Sequence, residues 1–157
     1  AQEWAFARRT FNPLTAEGLQ RLHREMFGET WGWAGAFRRS DKNISPFHWS
    51  QVPVLIRDLV DDTRTRYETS DKTPEALDEI ATRFHHRLVQ IHPWANGNGW
   101  HARLATDVLL QRWGRPVFTW GGSGNLIASG DARTRYQQAL RAADGGDFTP
   151  LLAFVRT

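Results

Sequence analysis

Cysteine is absent from the 157 residues, so no disulfide staples the fold and no thiolate can ligate a metal. Lysine is nearly absent: Lys42 and Lys72 stand alone, and arginine carries the rest of the positive charge. The net charge is only +3, from 20 basic and 17 acidic residues. That excess favours anionic ligands weakly and lacks the dense basic clustering of a nucleic-acid binder. No apolar run approaches the ~18 residues of a membrane span. The opening AQEWAFARRT lacks the apolar core of a signal peptide. The missing thiols fit a reducing cytoplasm, and the missing initiator Met suggests a trimmed N-terminus. Repeats and low-complexity segments are also missing.

The apolar and charged contents, 40% and 24%, are those of a globular chain, and a single domain over 1–157 is expected. Its periodic stretches are helical. Thr15 can cap a helix carrying Leu19, Leu22 and Met26 and ending at Gly28. Ser50 can cap a second, with Val52, Leu55, Ile56 and Leu59 inward. Thr73-Pro74-Glu75 opens the clearest one, whose stripe Leu77, Ile80, Phe84, Leu88 and Ile91 predicts a buried central helix. Pro93 disfavours helical geometry at His92 and ends it. Leu104, Ala105, Val108 and Leu109 mark a further helix stopped by Gly114 and Pro116, and two more start at Asp131 and Thr149-Pro150. Between the first two helices, FRRSDKNISPFHW (37–49) has no helical stripe and predicts a short hairpin or extended flap. FTWGGSGN (118–125) predicts a loop. The fold class is mainly α with a small β-hairpin flap.

The turn IHPWANGNGWHARL (91–104) is too rich for a plain connection. Gly97 and Gly99 allow positive φ and close backbone approach. The turn feeds a helix N-terminus, where unpaired N–H groups favour an anion. Arg103 lies one turn inside that helix, and Asn98 can brace the loop. Together they predict a phosphate cradle. His92 at its edge can take a proton near neutral pH, and Trp94 can anchor the turn in the core. A zinc site is not expected, because His85 and His86 point about 100° apart and no H-E-x-x-H pattern exists. GGSGN (121–125) lacks the Walker lysine and predicts a turn.

The turn resembles the Fic-family motif H-x-F-x-[D/E]-G-N-[G/K]-R-x-x-R at His92, Gly97, Asn98, Gly99 and Arg103. LHREMFGETWGWAGAFR, FHHRLVQIHPW and RYQQALRAADGGDFTPLLAF are also similar to the family, so the likeness covers nearly the whole chain. Within the family, SDKNI and GRPVFTWGG most resemble the group called mobile mystery protein B. The resemblance implies a Fic-type helical core that moves AMP from ATP to the Ser, Thr or Tyr hydroxyl of a target protein, with Mg2+. It implies His92 as general base, with Gly97, Asn98, Gly99 and Arg103 on the phosphates. It implies a flap of Arg38, Arg39, Ser40, Asp41, Lys42, Asn43 and Ile44 that docks the target by strand addition. A bacterial cytoplasmic setting and a small helix-turn-helix or antitoxin partner follow from the same likeness.

Two positions depart from the motif. Asn96 replaces the acidic Mg2+ ligand, and a neutral amide is a weaker one, although members resembling the Doc toxin carry it. Trp100 replaces an arginine aimed at the phosphates. Loss of one such donor costs roughly 100- to 1,000-fold in rate, unless Trp100 stacks on a base or target ring and changes the substrate. The alternatives are a Doc-like kinase that moves the γ-phosphate and a degenerate fold acting as a binding module. The inhibitory pattern [S/T]-x-x-x-E-[G/N] of some members is not found, since Pro13 precedes Glu17-Gly18 where Ser or Thr is needed.

Overall fold

A computed structural model describes residues 2–7, 11–122, 126 and 130–157. The chain divides into two compact units, 1–115 and 116–157. The first holds α1 (Gln2–Ala7), α2 (Ala16–Phe27), a 3-10 turn (Trp49–Gln51), α3 (Val52–Thr69), α4 (Pro74–Ile91) and α5 (Asn98–Arg112). The second holds α6 (Asp131–Asp144) packed on α7 (Thr149–Val155).

Helix α4 is the spine of the first unit and packs on both α3 and α5. Its start is over-specified. Thr73 Oγ1 accepts the Ala76 N–H at 3.2 Å, and Pro74 occupies the first turn, where no intrahelical donor is needed. Its predicted stripe is buried throughout, with Phe84, Leu88 and Ile91 no more than 1% exposed. Leu19 and Leu22 of α2, Val52 and Ile56 of α3, and Ala105 and Val108 of α5 close the same core. Arg115 pins the end of α5 to α4 through two 3.0 Å bonds to Asp78.

Two expectations are corrected. No strand forms among the described residues, so the β-hairpin flap at 38–44 is absent. Segment 37–48 instead folds as turns around the buried Arg38 side chain. Arg38 takes the Ser40 and Phe47 carbonyls, which a hairpin ladder would need. Ser50 is not the cap before α3: His48 caps the 3-10 turn, its Nδ1 accepting the Ser50 N–H at 3.2 Å. Helix α1 gave no periodic signal because it is six residues long. Its Ala5 is buried and Trp4 lies 5.0 Å from the Phe11 ring. In the predicted loop 118–125, Phe118 to Gly122 fold as extended chain and turn, held by Thr119 N–H to Val155, while 123–125 lie outside the described residues.

Candidate active site

Helix α4 stops at His92, which takes the left-handed conformation (φ 54°, ψ 62°). A non-glycine residue there costs about 1–3 kcal/mol and persists only where its surroundings dictate it. Pro93 supplies one constraint, since the residue before proline leaves the α region. Arg38 supplies another, its Nε donating to the His92 carbonyl at 2.7 Å. The half-buried imidazole has Nδ1 inside with no hydrogen-bond partner. Burial, then the charges of Arg38 and Lys42, push its pKa down from 6.5 to about 4, and the Val89 carbonyl near the ring opposes this weakly. Because Nδ1 is enclosed, Nε2 is the ring nitrogen left to accept a proton.

Beyond His92 the chain turns inward on Trp94, which is fully buried. The indole stacks on His23 at 4.3 Å and on Phe37 at 5.3 Å, with the His101 edge at 4.9 Å. Asn98 spans the turn as a double brace: its Oδ1 accepts the Trp94 N–H at 2.9 Å and its Nδ2 donates to the Trp94 carbonyl at 2.8 Å. At 5% exposure its amide belongs to the turn, so its share in anion binding falls to its backbone N–H. Gly97 has φ +78°, and a Cβ there would come within 2.6 Å of the Phe27 ring. The loop can follow this path only with glycine.

Helix α5 begins at Asn98 with no side-chain cap. Its first peptide N–H groups therefore have no acceptor within the helix and stand at the positive end of its dipole. The Arg103 guanidinium folds back over this end: a Cβ on Gly99 would lie 3.2 Å from Arg103 Nη1. Uncapped amides beneath a guanidinium fit a phosphate. Trp100, one turn before Arg103, is 50% exposed and adds no charge.

Asn96 is exposed, and its Oδ1 accepts the Gly97 N–H at 2.8 Å. No group of three or more His, Asp or Glu side chains suited to a metal exists among the described residues. A neutral oxygen already engaged with a backbone amide does not fit a protein-held Mg2+. In segment 38–44, Arg38 is 3% exposed, Lys42 is half-buried, and Arg39, Ser40, Asp41, Asn43 and Ile44 face solvent. Ile44 is 74% exposed.

Sequence reasoning missed His23. Its Nδ1 accepts the Gly35 N–H at 2.9 Å, which places the proton on Nε2, and Nε2 donates to the Asn96 carbonyl at 3.1 Å. Burial lowers its pKa, and the neutral ring ties α2 to the turn. A histidine beside the apolar stripe of α2 was the one signal. The inward role of Arg38 was missed too, for nothing in FRRSD distinguishes it from Arg39.

The family model for the Fic/DOC family matches residues 13–110. The chain is 30% identical over 146 residues to a protein adenylyltransferase Fic of Nematostella vectensis, covering 90% of this chain and 31% of that protein. It is 35% identical over 147 residues to one from Aedes aegypti, covering 90% of this chain and 27% of that protein. The chain thus spans less than a third of these relatives. Among solved structures, Fic-1 of C. elegans superposes with a TM-score of 0.67 at 26% identity over 90% of this chain and 39% of that one. The BepC effector of Bartonella tribocorum, solved with bound AMPPNP, superposes with a TM-score of 0.77 at 18% identity over 98% of this chain and 78% of that one. A left-handed histidine, a glycine-bound turn and an uncapped helix backed by Arg103 recur in this chain in the order of that family's motif, and the chain belongs to the Fic/DOC family.

Proposed function

We propose that this chain transfers AMP from ATP to a hydroxyl of a target protein, with His92 as general base. The carrying observation is the uncapped N-terminus of α5 beneath Arg103, whose first turn offers donors for phosphate and carries no acidic residue. The target oxygen attacks the α-phosphorus. As the new P–O bond forms, the bond from that phosphorus to the bridging oxygen breaks and pyrophosphate leaves. His92 Nε2 takes the hydroxyl proton. Oriented amides and Arg103 hold the developing charge, where such preorganised donors act most strongly. Relatives named protein adenylyltransferase support the reaction class, and the AMPPNP in BepC supports an adenine nucleotide as ligand. No step is assigned to Mg2+, because Asn96 at the motif position offers only an amide oxygen already engaged with the Gly97 N–H.

Residues 1–157 act as one Fic domain on this proposal, consistent with alignments spanning 90% of the chain. The target lies along the exposed side chains of 39–44, without Arg38. The proposal also includes a cytoplasmic bacterial setting and a small helix-turn-helix or antitoxin partner, which rest on the likeness of SDKNI and GRPVFTWGG alone. No helix among the described residues is long and apolar enough to cross a membrane.

The test is label transfer from α-phosphate-labelled ATP in a bacterial lysate by this chain, His92→Ala and Trp100→Arg. A labelled protein band that vanishes with His92→Ala supports the proposal. Trp100→Arg should raise the signal roughly 100-fold or more by restoring a charge at the phosphates. No α-label from any of the three, with γ-label moving instead, would replace AMP transfer by kinase chemistry.

A further inference from the structure

Arg38 is buried while Arg39, Ser40 and Asp41 beside it are exposed. A guanidinium leaves water only where its N–H groups are met. Those of Arg38 meet carbonyls from two parts of the chain. Nε donates to His92 at 2.7 Å, and Nη2 reaches the Ile91 carbonyl at 3.3 Å and the Phe47 carbonyl at 2.9 Å. Nη1 donates to the Ser40 carbonyl at 2.8 Å, and Nη2 also meets Ser45 Oγ at 3.3 Å. The Arg38 backbone N–H donates to the Pro93 carbonyl at 2.8 Å. One residue therefore holds three consecutive carbonyls, Ile91, His92 and Pro93, across the break in α4. Ser45 Oγ adds contacts to the Gln90 and Ile91 carbonyls, both at 3.1 Å.

The location matters physically. The last carbonyls of a helix lack intrahelical donors and stand at the negative end of its dipole. A fixed cation with a planar fork satisfies both conditions, and a lysine ammonium meets only the charge. Glycine, the usual residue for a left-handed helix end, is excluded if an imidazole is needed there.

We infer that Arg38 is a positioning residue for His92: its guanidinium and amide clasp the Ile91, His92 and Pro93 carbonyls and hold the left-handed turn that carries the imidazole. Its catalytic consequence rests on the AMP-transfer proposal above. Arg38 and Lys42 are the cations that face the ring, and Asp41, 3.9 Å from Arg38 Nη1, is the carboxylate that moderates the first of them. The clasp comes from the segment proposed to hold the target, so the target site and the base share one anchor.

The test compares the chain with Arg38→Lys, Arg38→Met and His92→Ala, each checked for folding by circular dichroism and thermal melting. Nitrogen-15 NMR of the imidazoles, with His92→Ala assigning the signal, reports the tautomer and titration of His92 without requiring activity. The native chain should show one tautomer with Nδ1 protonated. Arg38→Lys keeps the charge and loses the fork, so the His92 tautomers should average. Arg38→Met should also raise the ring's titration midpoint. In the transfer assay Arg38→Lys should lower kcat about 10- to 100-fold, the scale of a small misplacement of a reacting group, with KM for ATP within about 3-fold. A native His92 signal in Arg38→Lys overturns the inference, whatever the melting temperature. A changed signal with native kcat overturns it as well. A changed signal with no transfer from any protein, the native chain included, upholds the clasp and sinks the AMP-transfer proposal instead. Should Arg38→Met fail to fold, Arg38→Lys decides alone.

Discussion

At His92, burial and the charges of Arg38 and Lys42 act in one direction, holding the imidazole neutral down to about pH 4. The ring is therefore a weaker base than a histidine in water, but its lone pair is available at all physiological pH. On the AMP-transfer proposal, a triphosphate at α5 would bring negative charge, which favours the imidazolium and would move the value back up. The acid limb of kcat/KM for ATP, which reports the free protein, should thus fall near pH 4, and that of kcat should fall higher. Initial rates from pH 4 to 8 check this, and a kcat/KM limb at the unperturbed 6.5 would show that the ring is not buried as described. Asn98 reads differently at the same scale. Its spacing allowed both a brace and a phosphate ligand, and its two bonds to Trp94 commit the side chain to bracing.

The turn between α4 and α5 works as one element, because each of its fixed points depends on another. Trp94 fills the core, Asn98 returns the Trp94 backbone to the start of α5, and Gly97 lets the chain pass the Phe27 ring. Asn98→Ala would leave the Trp94 N–H and carbonyl buried without partners, at about 1–3 kcal/mol for such groups. Urea unfolding should show that loss, and ATP binding should weaken along with it because the α5 amides are no longer held in place. Full stability in Asn98→Ala would mean that the turn is held by Trp94 packing alone. Segment 37–48 was misread at this scale. The lack of a helical stripe correctly excluded a helix but did not imply a strand, since the acceptors a hairpin would pair are taken by Arg38.

For the whole molecule, several histidines are held neutral. His85 and His101 are fully buried with values lowered to about 3, the second donating its Nε2 proton to the Leu19 carbonyl at 2.9 Å. His23 is lowered as well. In the unfolded chain these groups return to 6.5. Below that pH the unfolded state binds protons that the folded state refuses, so stability falls as pH drops from 6.5 toward the folded values. Each fully buried imidazole contributes up to about 1.4 kcal/mol per pH unit in that window. Urea midpoints should therefore decline from pH 7 to pH 5, and His101→Gln should flatten the decline. A midpoint constant over that range would mean that the rings take up protons in the folded state.

Helix positions, the stop at His92 and the glycine-bound turn were legible in the amino-acid order because their causes are local. A capping hydroxyl, a proline or a three-and-four apolar spacing acts over a few residues. The motif order was legible for the same reason, and with it the family. The state of the site was not. His92 is clasped by Arg38 from 54 positions away, and Asn96 is held by His23 from 73 away. Such pairs exist only once α2, α4 and α5 have packed, and burial, which sets the imidazole's charge, exists only then too. Amino-acid order alone set the helices and the order of the site residues. Tertiary packing decided which arginine turns inward and which histidines stay neutral, because desolvation and long-range hydrogen bonds belong to the assembled core.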